Sequence, residues 1–156
     1  MSAVEDRLSE LGLTVPEVVP PVANYVPAVR DGRRIYTSGQ LPMVDGKLVA
    51  TGKVGEGEGH VTPEQAKELA QTCALNAIAA VKGLVGDLDR VTQVVKVVGF
   101  VASDPAFTGQ PGVINGASEL LGKAFGDAGI HARSAVGVAV LPLDAPVEVE
   151  LVVEVG

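Results

Sequence analysis

The sequence contains no tryptophan, and only two tyrosines and three phenylalanines among its 156 residues. A core built around large aromatic rings is therefore excluded. It must be made of small and branched aliphatic side chains, which suits a sheet covered by closely packed helices. The only cysteine is Cys73, so no disulfide can close within the chain. Basic residues are scarce: 12 Lys and Arg stand against 19 Asp and Glu, a formal charge of −7. That balance lacks the basic footprint needed for non-specific nucleic-acid binding. It still allows a small anion held by one or two arginines. No apolar run approaches the ~18–20 residues of a membrane span. The opening MSAVEDRLSELGL carries acids early and lacks the apolar stretch of a signal peptide. The expectation is one domain spanning 1–156, cytoplasmic, with no membrane or nucleic-acid partner.

What is present is aliphatic: 47% of the residues are hydrophobic, mostly Val, Ala and Leu. Residues 3–12 predict a short amphipathic helix with Val4, Leu8 and Leu11 on one face. Pro16, Pro20 and Pro21 make the segment after it an extended connector. Two strands are predicted at Tyr25–Arg30 and Arg34–Ser38, with Asp31-Gly32 as their hairpin turn. Thr62-Pro63-Glu64-Gln65 supplies an N-cap, a proline for the first helical position and a capping-box Gln. The helix it opens has an apolar stripe from Ala66 to Val85 and stops at Gly86. A β-branched strand is predicted over Leu88–Ala102 and a second helix over 113–126. Two last strands complete the chain, Ser134–Leu141 and Val147–Val155. The order β-β-α-β-α-β-β describes an α+β sandwich with two helices on one face of a sheet.

The strand at 134–141 is small or apolar on both faces. Val136, Val138 and Val140 alternate with Gly137 and Ala139, and Val97, Gly99 and Val101 repeat the pattern. Helices cover one face only, and apolar surface left in water costs about 25 cal/mol per Å². A homo-oligomer packed sheet to sheet is expected.

Arg133 stands at the mouth of that strand, next to His131, in HARSAVGV. Glu148 and Glu150 lie on the final strand, which the order suggests is its hairpin neighbour. Two readings stay open on spacing alone. In one, Arg133 makes an ordinary ion pair within the chain. In the other, its guanidinium forks onto a ligand carboxylate while a glutamate in the same pocket moves protons.

Four segments, YTSGQLP (36–42), the long capped helix, HARSAVGVAVLP (131–142) and VEVELVVEV (147–155), occur in the order and spacing of the reactive-intermediate deaminase family, RidA/YjgF. From about residue 22 to the end the chain resembles a member of that family, with residues 1–21 as an N-terminal helix and Pro-rich extension. The resemblance implies a chorismate-mutase-like α+β fold and a homotrimer whose sheets form a central barrel, with clefts between subunits. It implies metal-free and cofactor-free hydrolysis of reactive enamines and imines, the 2-iminoacids, to 2-keto acids and ammonia. Arg133 matches the family's carboxylate-binding arginine and Glu148 its water-orienting acid. Gly39 matches the glycine whose backbone approaches the ligand, and Tyr25 an aromatic that closes the cleft from the neighbouring subunit. Ala135 stands where a cysteine is common, leaving its backbone as the contact. Asn115 and Ser118 both compete for the place of a cleft asparagine. Two other functions are weighed beside this one: a non-catalytic trimer that binds small carboxylates, and the ribonuclease role attached to the family, which the acidic composition opposes.

Other chemistry-bearing residues have quieter readings. Cys73 falls on the apolar stripe of the first long helix and reads as a buried hydrophobe. His60 sits in a Gly-rich loop and reads as solvated, and His131 as a loop or capping residue, with tuning of the Arg133 pocket as the alternative. GKVGEGEG (52–59) has glycines but lacks the Lys-Ser/Thr ending of a phosphate loop. Two histidines without a carboxylate motif do not suggest zinc. Asn76, between apolar helix positions, predicts a buried polar contact.

Overall fold

The structure, a computed structural model, describes residues 2–21 and 23–156. Three helices, α1 (Ala3–Glu10), α2 (Pro63–Val85) and α3 (Gln110–Phe125), accompany seven strands. The strands are β1 (Ala28–Asp31), β2 (Arg34–Thr37), β3 (Met43–Val44), β4 (Lys47–Leu48), β5 (Val91–Ala102), β6 (Ala132–Val138) and β7 (Val147–Val155). Five of them make a sheet in the order β1-β2-β7-β5-β6, and β3 and β4 form a separate hairpin. Only β6 runs parallel to its neighbour, β5, because the chain returns through α3 in a β-α-β crossover.

The helix signals act as the sequence predicts. Thr62 Oγ1 accepts from the Gln65 amide at 3.1 Å, and α2 stops at Gly86 with φ +76°. Helix α3 starts at Gln110, three residues before its apolar stripe, because Pro111 is tolerated in a first turn. Gly116 brings the two long helices into close contact. A Cβ there would collide with the Lys67 carbonyl of α2.

Helix α1 leaves no early amide idle. The Asp89 carboxylate accepts from Ala3 N at 2.9 Å and Val4 N at 3.1 Å, and Ser2 Oγ accepts from Glu5 N at 3.0 Å. Those amides hold the Asp89 carboxyl below its ordinary value. Arg7 donates to the Ala124 carbonyl in the last turn of α3, and Glu5 pairs with Lys82 of α2. The Pro-rich connector then crosses α2 at Gly83, where a Cβ would lie 3.2 Å from Val18.

β7 is the spine of the sheet. Val147, Val149, Leu151, Val153 and Val155 are buried beneath the helices, while Glu148, Glu150, Val152 and Glu154 turn to the other face. That other face carries Glu148 level with Phe100 and Val136, and Glu150 level with Val98 and Ser134. Val29 and Tyr36 continue it and are 54% and 45% exposed. The two-faced apolar character read from the sequence is thus real, with one face covered by helices and one open within the chain.

Several boundaries differ from the sequence reading. β1 begins at Ala28 rather than Tyr25, just after Pro27, which has no amide to give to a ladder. Asp45-Gly46 turns a two-residue hairpin between β3 and β4, with φ 53° and 78°. The strand with Arg133 ends at Val138 rather than Leu141, and the chain turns through residues 142–144 with Leu143 and Asp144 at φ 59° and 60°. Most consequentially, β6 and β7 are not hairpin neighbours, because β5 lies between them. Among the described residues no helix is long and apolar enough to cross a membrane.

Gly116→Ala should lower the unfolding free energy by about 1–3 kcal/mol, because backbone rather than a flexible side chain fills the space. Gly122→Ala, also in α3 but with open space around the added methyl, should raise it by about 0.5–1 kcal/mol. Denaturant melts of the two variants side by side check both signs.

Candidate functional site

Arg133 sits at the start of the edge strand β6, in register with Val97 and Leu151, so its side chain lies on the helix side. There α3 receives it. Nη1 donates to Asn115 Oδ1 at 2.8 Å and to Ser118 Oγ at 3.2 Å, and Nη2 donates to the Pro111 carbonyl at 3.3 Å. Both Asn115 and Ser118, the two competitors from the sequence, therefore touch it. All three acceptors are neutral. Among the described residues no carboxylate pairs with Arg133. Of five guanidinium hydrogens, the one on Nε and one on Nη2 remain unused, which leaves a fork suited to a carboxylate. The intrachain ion pair considered from spacing is absent.

His131 lies in the loop before β6, as its loop reading expects, and it also reaches the group around Arg133. Its Nδ1 lies 2.7 Å from the Gly129 carbonyl and its Nε2 2.8 Å from Ser118 Oγ. Ala135 points its methyl into the core beside Gly99 and Val149. Only its backbone, on a strand with one unpaired edge, is available to a ligand.

Glu148 occupies the opposite face. Burial raises its carboxyl above the ordinary value, and the neighbouring Glu150 charge adds to the rise. No cation pairs with it among the described residues. Gly39 is its neighbour, for a Cβ on Gly39 would overlap the Glu148 carboxylate. The approach is made by an irregularity beside β7. Regular pairing of β2 ends at Tyr36–Val152, Thr37 Oγ1 accepts from Leu151 N at 2.9 Å, and pairing resumes at Gln40–Val149. Tyr25, 45% exposed, shares a small notch with Gly39, Gln40, Pro20 and Pro21.

The sequence-nominated residues therefore fall into two groups. Arg133, Asn115 and Ser118 form one on the helix side of an edge strand. Glu148, Gly39 and Tyr25 form the other, with Glu148 on the open face two strands away. One chain does not bring the two groups into a single pocket.

The remaining candidates resolve simply. Cys73 is buried, and burial above all, then the Glu148 charge, pushes its thiol well above the usual range. It is a packing residue, as its place on the apolar stripe predicts. Asn76 donates to the Leu41 and Met43 carbonyls at 3.1 and 3.0 Å, tying the 41–43 segment to α2. His60 corrects the sequence reading. Its ring is half-buried over Gly55 and Gly57, Nε2 lies 3.6 Å from Asp104 Oδ1, and Nδ1 is buried without a partner. The loop that carries it is pinned where the Val54 amide donates to the Ala102 carbonyl at 2.7 Å.

Comparison with known proteins agrees with this architecture. The family model described as "YjgF/chorismate mutase-like, putative endoribonuclease" matches residues 5–155. The chain belongs to that family. It is 43% identical over 154 residues to Protein TCP17 of Trypanosoma cruzi, covering 98% of this chain and 94% of that one. It superposes on the crystal structure of Atu1372, of unknown function, from Agrobacterium tumefaciens, with TM-score 0.91 and 47% identity over 99% of this chain and 93% of that one. A second crystal structure, "a putative endoribonuclease" from Shewanella oneidensis, gives TM-score 0.93 and 34% identity over 97% and 99%. The chorismate-mutase-like α+β fold expected from the sequence motifs is the fold observed, with α1 as a third helix.

The raised Glu148 carboxyl has a consequence for stability. A carboxyl that holds its proton more tightly folded than unfolded contributes most to stability when protonated, and that contribution is lost as pH rises through its folded value. Glu148→Gln should therefore raise the melting temperature at about pH 8, and the gain should vanish below about pH 4. Thermal melts across pH check this. An equal gain at both ends would contradict it.

Proposed function

We propose that the protein hydrolyses 2-iminoacids to 2-keto acids and ammonia in clefts between the subunits of a homotrimer. The observation that carries this reading is a pair of unpartnered charges: the Arg133 cation held by neutral oxygens, and the Glu148 carboxylate desolvated beside Gly39. Each needs a counterpart that the described residues of its own chain do not supply. A subunit that lays the open sheet face of one copy against the β6 edge of another covers apolar surface and unites the two groups.

In such a cleft the substrate carboxylate takes the free Nε–H and Nη2–H of Arg133. That places C2 of the iminium near the Glu148 carboxylate of the other subunit. Glu148 accepts a proton from water as the water oxygen bonds to C2 and the C=N π pair moves to nitrogen. The proton passes from Glu148 to that nitrogen; an oxygen electron pair then forms C=O as the C–N bond breaks, the hydroxyl proton returns to the Glu148 carboxylate, and ammonia and the 2-keto acid leave. For the enamine tautomer the protonated acid first delivers a proton to C3, giving the iminium. An acid held above its ordinary value is suited to both directions of transfer. Gly39 leaves room where a methyl would displace the acid, and Tyr25 walls the same side. No metal or cofactor is required, since the substrate already reacts with water and positioning with one acid–base group suffices.

The word endoribonuclease in the family's description suggests RNA as a substrate. The charge of −7 and an acid in the cleft oppose a polyanion. Simple binding of small carboxylates is the reading that survives if Glu148 proves dispensable.

Keto-acid release from an imine generated in situ by an amino-acid oxidase tests the proposal. Arg133→Ala should lower kcat/KM about 100-fold or more, and Arg133→Lys should not restore it, having no fork. Glu148→Gln should lower kcat about 10²-fold or more. Acceleration by the wild type that survives both changes would overturn the assignment.

A further inference from the structure

The N-terminal segment reaches the neighbourhood of the acid. Residues 2–21 precede every motif that carries the family resemblance, yet their far end lies beside Gly39. Val19, Pro20 and Pro21 form one side of a notch that Tyr25, Gly39 and Met43 help to complete. Glu148 touches the same Gly39, at the position a Cβ would fill. Glycine has no side chain to separate the two, so the notch and the acid are neighbours. The notch holds about 30 Å³, room for about two carbon atoms. None of the described residues that line it is charged.

This wall is held along its whole length. Helix α1 is anchored by buried Val4 and Leu8, by the Asp89 carboxylate on its first amides and by Arg7 on the Ala124 carbonyl. Leu13 and Val15 continue the contact with the core, and Val18 rests against Gly83 of α2. Pro20 and Pro21 end the strap. Their rings fix φ and remove two amides, so the strap meets the notch as a stiff, apolar edge.

We infer that Val19, Pro20 and Pro21 are specificity-determining residues, which close the pocket for the substrate's side chain and limit it to a short aliphatic group. The inference rests on the reading of the cleft as a 2-iminoacid site. C2 of such a substrate carries three substituents: a carboxylate, a nitrogen and a side chain. Arg133 of one chain takes the carboxylate. The nitrogen exchanges protons with Glu148 of the other. The side chain is left for apolar space, and the notch is the apolar space next to that acid. A methyl or ethyl group fills it. A longer chain meets the pyrrolidine rings, and a charged one would lose its water without gaining a partner.

The test is the chain-length profile of keto-acid release from imines made in situ by an amino-acid oxidase from alanine, 2-aminobutyrate, norvaline and leucine. Ratios of kcat/KM are compared within each protein, so a general loss of activity cancels. The wild type should favour the alanine and 2-aminobutyrate imines over the longer ones by about tenfold or more, the scale of a methylene in an apolar pocket. Val19→Ala and Pro21→Gly should each raise the norvaline-to-alanine ratio about tenfold. Val19→Leu should act in reverse and lower the 2-aminobutyrate-to-alanine ratio. Val18→Ala loosens the same strap at Gly83 but lies outside the notch, and it should leave every ratio unchanged. Wild-type hydrolysis of the alanine imine, with ratios that stay put in all three notch variants, would overturn this inference and leave the proposed function standing. A wild-type profile flat from alanine to leucine would do the same, because the side chain would then lie elsewhere. A shift in Val18→Ala as large as that in Val19→Ala would assign the effect to the stability of the strap and overturn the wall. No acceleration of any imine by the wild type would overturn the reading of the cleft, and this inference with it.

Discussion

Two opposite charges on opposite faces of one sheet set the logic of this molecule. Arg133 is held on the helix side of β6 by Asn115, Ser118 and the Pro111 carbonyl, none of them charged. Glu148 turns outward from β7, where desolvation and Glu150 raise its carboxyl. β5 separates the strands that carry them. A chain could neutralise either group with a short-range partner, and among the described residues this one does neither. The alternation along β7 is the cause: the residues that build the core and the residue that carries the acid are consecutive, so the acid is bound to face away from the helices.

The same alternation determines which surface remains. Val29, Tyr36, Val136 and Phe100 share a face with Glu148. Meeting another copy there would bury apolar area and desolvate the acid further, so assembly and acid–base chemistry would strengthen together. The N-terminal extension adds a boundary to this region. Helix α1 is fastened at both ends, by Asp89 and through Arg7 to α3, and the connector behind it delivers Pro20 and Pro21 to the notch shared by Tyr25 and Gly39. Residues remote from the acid in sequence thereby shape the space beside it.

Much of this is legible in the amino-acid sequence alone. The β-β-α-β-α-β-β order, the Thr62 cap, the Gly86 stop and the bounds of β7 come from local chemistry, and local chemistry is what sequence patterns record. Pairing between distant strands is not local. The position of β5 between β6 and β7 depends on the crossover through α3, so the expected adjacency of Arg133 and Glu148 fails. The β3–β4 hairpin escapes a sequence reading because two-residue strands carry no periodicity, although Asp45-Gly46 is a signal for it. His60 reads as solvated because nothing in a glycine-rich stretch announces that the loop folds back onto Asp104. The His131–Ser118 link is out of reach for a plainer reason. Thirteen residues and a turn separate them, and only the packing of α3 on β6 brings a hydroxyl to that ring.

The central claim is that a working cleft takes its arginine from one chain and its glutamate from another. Subunit complementation tests it directly. Arg133→Ala and Glu148→Gln proteins, each inactive alone, are unfolded together, refolded as a mixture and assayed for imine hydrolysis, with subunit mixing verified by native mass spectrometry. If the two residues come from different chains, random assembly rebuilds about a quarter of the clefts with both groups intact, and activity returns to roughly that fraction of wild type. If mixed assemblies form and stay as inactive as either parent, the two residues serve one chain or no common site, and the account of the intersubunit cleft is wrong.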